Sequence, residues 1–374
     1  MMNLENVTIH QFRGLRDLEL KDLGRINLLV GINNSGKTSV LEALEIYCHP
    51  LDIRSWLSTA LQREQESRLT RPIDAIQWLF TRYFYNQYRE LKKPNIFISS
   101  SGLYSVKQLK SSYEEIERIW LSDSKKDEEI GSDDVPGVRK GIDLKIEIYH
   151  IDHLSLFDHQ YTSVEQYQLW EDEFLSRPYR KRDPRLNTSV VTPSSHRSEV
   201  GQFRLLSEAT FQNFKADVIQ LLKQIDNNIS DIEILLPPES ISSRFNIYIQ
   251  HEKLGLAPVS TFGDGIRRLL HIALKLASVK GGILLIDELE STIHTEALQN
   301  SFRWLVKWCT EMDVQLFATT HSLEAVDALL EVTESDSDLV LYRLEPKEGK
   351  TKAVRHDGHR LRRLREELGQ EVRW

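Results

Sequence analysis

The sequence predicts an α/β fold, a mixed sheet flanked by helices with antiparallel strands at the N-terminus and a mixed α+β insertion. Three observations predict it. A mostly apolar run, residues 26–30, passes through the glycine turn GINNSGKTS into a helical stripe of Val40, Leu41, Ala43, Leu44 and Tyr47. From about residue 199 to 332, helices and strands alternate as in a parallel sheet covered on both faces. Between these stretches the pattern changes and no internal repeat or sustained heptad occurs.

Each element follows from its residues. Leu18 and Leu20 alternate with Asp17, Glu19 and Lys21, a strand pattern. Ile73, Ile76, Leu79, Phe80, Tyr83, Phe84 and Tyr88 keep steps of three and four, which predicts an amphipathic helix of roughly four turns. The acidic stretch 122–137 reads as a loop, and Ile142, Leu144, Ile146 and Ile148 alternate as a strand. A helical stretch over 203–225 precedes strands at 232–236 and 245–249, and a last strand is expected over 339–344.

Length and charge bound the possibilities. The 374 residues are about two and a half times the ~150-residue prior for one domain, so one large domain with an insertion or two domains is expected, and the first and last thirds read as one α/β domain split around an insertion. Its parts are an N-terminal lobe over 1–48, a helical insertion with some strands over 49–198, a C-terminal lobe over 199–345 and a basic extension over 346–374. With 48 basic and 56 acidic residues, the net charge of −8 argues against a surface coated for nucleic acid. No run approaches the ~18 apolar residues of a membrane span, and the N-terminus lacks the pattern of a secretory signal. Two cysteines, Cys48 and Cys309, give no disulfide framework. The expectation is a cytoplasmic protein without a membrane partner.

The chemistry is concentrated in three motifs. Gly31-Ile-Asn33-Asn34-Ser35-Gly36-Lys37-Thr38 fits G-x-x-x-x-G-K-[ST], with a strand before it and a helix after it. Its backbone N–H groups, continued at Ser39 by the start of the helix, suit a phosphate; Lys37 would neutralise phosphate oxygens and the Thr38 hydroxyl would ligate Mg²⁺. The run 282–288 is an apolar strand ending in two carboxylates, and burial on both faces puts that end at the edge where ligands collect. Asp287 suits Mg²⁺ and Glu288 suits orientation and deprotonation of water. The run 314–322 is a second apolar strand, ending at His321, which a parallel neighbour would deliver to the same edge as a phosphate sensor.

Together with Glu290-Ser-Thr-Ile-His294, these motifs resemble the ABC-type ATPase heads of the RecF, SMC and OLD group. The chain is most similar to the AAA_15/AAA_21 ATPases of bacterial defence systems, over residues 1 to about 48 and 200 to 345. The resemblance implies ATP and Mg²⁺ as cofactors and a slow ATPase reaction. Phe12-Arg13-Gly14 matches the element in which an arginine, here Arg13, reaches the nucleotide. The segment 259–265 stands where the family has its signature; it departs from the consensus, and Ser260 or Thr261 with Gly263 and Gly265 would supply donors at a helix start. The family's Q-loop glutamine has no match, although Arg197 lies in a segment resembling the return to the core.

The signature implies a homodimer, or higher homo-oligomer, through the ATPase heads. About thirty residues after 344 leave no room for the Toprim nuclease of OLD-type members, so a separate effector protein is expected, possible identities including a Toprim-like nuclease. The reading is an ATPase sensor or scaffold in anti-phage defence; the alternative is a RecF-like repair ATPase closing on duplex DNA. DNA, a protein or plain solvent could face the basic clusters Arg177-Arg180-Lys181-Arg182-Arg185 and Arg355-Arg360-Arg362-Arg363-Arg365.

Overall fold

The computed structural model describes residues 2–64, 71–80, 84–85, 90–91, 94–120, 137–152, 159–171, 184–198, 201–236, 245–347 and 349–373. In chain order the N-terminal elements are β1 (Asn6–Phe12), β2 (Leu15–Leu20), β3 (Ile26–Val30) and α1 (Lys37–Cys48). Then come α2 (Ile53–Leu61), α3 (Pro72–Gln77), β4 (Phe84–Tyr85), β5 (Glu90–Leu91), β6 (Asn95–Ser101), β7 (Val106–Trp120), β8 (Gly137–Asp152), β9 (His159–Trp170) and β10 (Thr188–Val191). The remainder is α4 (Gln202–Phe211), α5 (Lys215–Lys223), β11 (Ile229–Leu235), β12 (Asn246–His251), β13 (Gly255–Pro258), α6 (Asp264–Ser278), β14 (Ile283–Ile286), α7 (Thr295–Glu311), β15 (Gln315–Thr319), α8 (Leu323–Val332), β16 (Leu339–Lys347), β17 (Lys350–Asp357) and α9 (Gly358–Arg362).

The central sheet runs β10-β14-β15-β3-β16-β17, parallel except for the edge strand β17. Its apolar residues alternate between two cores. Ile26, Leu28, Leu284, Ile286, Leu316 and Leu341 face α4 to α8, whereas Leu29, Ile283, Leu285, Phe317, Val340 and Tyr342 face α1. Burial on both faces explains why these strands read as continuous apolar runs. The ladder pairs Ile286 with Ala318 and Thr319 with Leu29, so the carboxyl ends of β3, β14 and β15 lie side by side.

A second sheet runs β2-β1-β6-β7-β8-β9, antiparallel throughout. Helix α1 lies between the two sheets, with nine of its residues buried. Its Tyr47 hydroxyl is tied to Ser100 Oγ and Val106 O, both at 2.7 Å, which fixes the helix to the antiparallel layer. A third sheet, β11-β12-β13, is also antiparallel and separate from the parallel one.

Several expectations change. The stretch 49–198 is richer in strands than in helices: β6 to β9 continue the sheet begun by β1 and β2, and β10 enters the central sheet. The helix expected over 73–88 stops at Gln77. Leu79 gives its carbonyl to the Arg13 N–H at 2.9 Å instead of to a further helical turn, and Phe84–Tyr85 is strand. The expected helix over 203–225 is broken in two. Asn213 adopts φ 57 and Phe214 N–H bonds back to Ala209 O at 2.8 Å, the left-handed stop to which asparagine is suited. Residues 122–136 of the acidic stretch and four members of the first basic cluster, Arg177, Arg180, Lys181 and Arg182, lie outside the described residues. No helix among the described residues is long and apolar enough to cross a membrane.

Candidate active site

The candidate phosphate cradle begins where β3 ends. Gly31 has φ 146, and a Cβ there would lie 2.6 Å from Leu344 O; Gly36 has φ 95, and a Cβ would lie 2.6 Å from Leu15 Cδ2. Only glycine fits both positions without strain. Asn34 between them is also left-handed, at φ 63. The turn hands the chain to α1 at Lys37, whose first-turn N–H groups have no partners inside the helix and face the loop.

Lys37 is buried and donates from Nζ to Gly31 O at 2.8 Å and Ile32 O at 3.1 Å. Burial lowers its pKa, an effect opposed by Asp287, Glu288 and Glu290. Ser35 Oγ is buried with no hydrogen-bond partner among the described residues. An ammonium resting on loop carbonyls and an orphan hydroxyl, enclosed by glycines that leave no room for side chains, fit a polyphosphate.

Strand β14 brings the acidic pair to this cradle. Thr38 Oγ1 lies 3.1 Å from Asp287 Oδ2 and 3.3 Å from Oδ1, joining the two motifs directly. The Asp287 N–H is held by Val191 O at 2.8 Å, and Thr319 Oγ1 donates to Asp287 Oδ1 at 2.6 Å. The same Thr319 oxygen accepts the Glu288 N–H at 2.8 Å. Glu288 is exposed and adopts φ 51. The hard oxygens of Thr38 and Asp287 suit Mg²⁺, which takes few protein ligands beside phosphate.

His321 follows β15 at the same edge, as its register requires, and is half-buried. Its N–H donates to Glu290 Oε1 at 3.0 Å, while Thr320 Oγ1 donates to Glu290 Oε2 at 2.7 Å. The loops after β14 and β15 are therefore linked through one carboxylate.

The other expected residues make their hydrogen bonds and ion pairs elsewhere in this structure. Arg13 pairs with the buried Glu42 at 2.8 Å, and so does Arg63, at 2.7 Å. Arg63 also donates to Ser39 Oγ at 2.9 Å, a contact with the cradle that the sequence did not reveal. Ser260 and Gly263 are exposed, Thr261 spends its hydroxyl on Pro258 O at 2.7 Å, and Gly265 packs towards Thr292 O. No hydrogen bond among the described residues joins this segment to residues 31–39. Asp264, the first residue of α6, instead accepts from Arg197 at 2.7 Å.

Arg268 is the largest omission of the sequence reading. Fully buried on α6, it donates to Thr192 O and Asp287 O at 3.0 Å each and to Glu288 O at 2.5 Å. Burial pushes its pKa down to about 10, against the attraction of Glu288, Glu290 and Asp287, so it stays charged at neutral pH. An arginine inside the apolar stripe of α6 was the available signal. A cavity of about 240 Å³ beside Thr38 and Asp287 is lined also by Glu42, Glu45, Gln62 and Arg63.

The second basic cluster is largely neutralised. Arg355 meets Asp357 at 3.3 Å, Arg362 meets Asp336 at 3.0 Å, Arg363 meets Glu367 at 3.7 Å and Arg365 meets Asp327 at 2.7 Å.

Comparison with known proteins places the chain in a family. Residues 26–327 match the AAA_21 family, described as "AAA domain, putative AbiEii toxin, Type IV TA system". An ATP/GTP phosphatase of Helicobacter pylori is 22% identical over 356 residues, 88% of each chain. An uncharacterized protein of Methanocaldococcus jannaschii is 36% identical over 121 residues, 30% of this chain and 98% of that one. The DNA replication and repair protein RecF of Cellvibrio japonicus is 33% identical over 69 residues, 18% of this chain and 19% of its own. An SMC head bound to the C-winged helix domain of ScpA has the same fold, with TM-score 0.52, 11% identity, and coverage of 95% of this chain and 98% of that one. The chain belongs to the AAA_21 family.

Proposed function

We propose that the protein hydrolyses ATP between two copies of its head. The observation that carries this reading is the meeting of Thr38, Asp287 and Thr319 at one sheet edge, with Lys37 and His321 on the adjoining loops. Lys37 exchanges its loop carbonyls for phosphate oxygens, and N–H groups at the start of α1 hold the same anion. Thr38 and Asp287 would hold Mg²⁺, which when bound neutralises phosphate charge. Glu288, with its backbone fixed and its carboxylate exposed, orients water and takes its proton, while His321 contacts the phosphoryl group being transferred.

The exposed Ser260 and Gly263, remote in bonding from their own cradle, suit the nucleotide of a partner copy. Gln62, beside Thr38 and Asp287, is a candidate for the glutamine that the sequence left unassigned. In the cell, we read the protein as a cytoplasmic sensor or scaffold in anti-phage defence that regulates a separate effector, which the toxin–antitoxin description of the family supports. The RecF match favours the second reading, a repair ATPase acting on duplex DNA.

The deciding experiment is Glu288→Gln. It is expected to retain ATP, cut turnover by a factor on the order of 100 or more and accumulate an ATP-dependent dimer, measured by phosphate release and light scattering. Unchanged hydrolysis would remove the assignment. Stimulation by duplex DNA that falls steeply with salt would select repair over defence.

A further inference from the structure

We infer that the segment 370–373 is a strap that positions His321, with Arg373 as its positioning residue. This rests on the proposed role of His321. Arg373 forms a fork with Glu371, Nε to Oε1 at 2.8 Å and Nη2 to Oε2 at 2.7 Å, and its remaining nitrogen, Nη1, donates to His321 O at 2.7 Å. A two-point fork fixes the plane of a guanidinium, so the third contact is aimed.

The fork is itself held. Glu371 Oε1 also accepts the N–H groups of Val372 at 3.1 Å and Arg373 at 3.0 Å, and Val372 is sunk in the core at 1% exposure. Arg365 ties Gln370 O at 2.6 Å to Asp327 on α8, the helix that starts directly after the histidine loop. The two peptide groups flanking His321 are thus gripped from different directions. Glu290, beside the acidic pair, accepts the N–H, and the strap donates to the carbonyl. Lifting the strap frees the carbonyl while leaving the Glu290 contact and the phosphate cradle in place. Its effect therefore falls on turnover and spares nucleotide affinity.

The test uses the full chain with Arg373→Ala, Arg373→Lys, His321→Ala and the Arg373→Ala/His321→Ala double variant. In Arg373→Ala, kcat is expected to fall about tenfold with KM and ATP affinity within about twofold of wild type. Arg373→Lys should recover part of the loss, because it keeps a donor but not the fork. The double variant should match His321→Ala alone, since the strap acts through that residue. Glu371→Gln, which loosens the fork and keeps the guanidinium, should lower kcat in the same direction and covers the case in which Arg373→Ala does not fold. Wild-type kcat in the strap variants, or multiplied losses in the double variant, overturns the strap and leaves the role of His321 standing. Wild-type kcat in His321→Ala overturns both.

Discussion

The hydroxyl of Thr319 donates to Asp287 Oδ1 at 2.6 Å while its oxygen accepts the N–H of the next residue, Glu288, at 2.8 Å. One side chain on β15 thereby orients both acidic residues at the end of β14. Thr319→Val preserves the shape and removes both bonds. We expect kcat to fall about ten- to a hundredfold, the effect of about 1.5–3 kcal/mol for hydrogen bonding to charged groups. Steady-state phosphate release checks it; a wild-type rate would show that the carboxylates are oriented without Thr319.

Arg268→Met tests the buried arginine. It withdraws donors from the carbonyls of Thr192, Asp287 and Glu288, and only apolar surface replaces them. Stability should drop by about 2–4 kcal/mol, read from urea unfolding, and kcat should drop in protein that remains folded. Arg268→Lys should recover only part of the stability, because an ammonium cannot span the three acceptors with the same geometry. Wild-type stability in Arg268→Met would mean that water replaces the guanidinium at no cost.

His271 predicts a pH dependence. It is 4% exposed, and burial, reinforced by Lys275, His196 and Arg268, pushes its pKa down to about 3. The unfolded chain protonates it near 6.5 and the folded chain does not. Its contribution is therefore complete above pH 6.5 and is lost as the pH falls from there towards about 3, at about 1.4 kcal/mol per pH unit. Urea unfolding at pH 6.5 and 5.5 should show this loss in the wild type beyond that in His271→Leu; equal losses would contradict it.

The parts of the site written in consecutive residues were legible in the sequence. The residues 26–38, 282–288 and 314–322 each carry a strand and the group at its end, so period and motif coincide. Contacts between distant segments were not. Arg268, Arg373 and Arg63 act on carbonyls or hydroxyls far away in sequence, and an arginine's character gives no hint of its acceptor. The false helical extension past Gln77 has the same origin. Ile73, Ile76, Leu79 and Phe80 do form a buried stripe, but Arg13 captures the chain at Leu79. The C-terminal arginines looked like a charged patch because their carboxylate partners, Asp327 and Asp336 among them, lie on other elements.

The sandwiching of α1 has a mechanical consequence. The helix that starts at the phosphate cradle is also the floor of the antiparallel layer, whose strand β7 is 15 residues long. At ~3.3 Å per residue that strand spans about 50 Å. A tilt of about 10° at its root would sweep its far end through roughly 9 Å. Any adjustment at the cradle that tilted the layer by that angle would therefore be enlarged into travel that a second molecule could feel, with the long hairpin as the lever and α1 as its fulcrum.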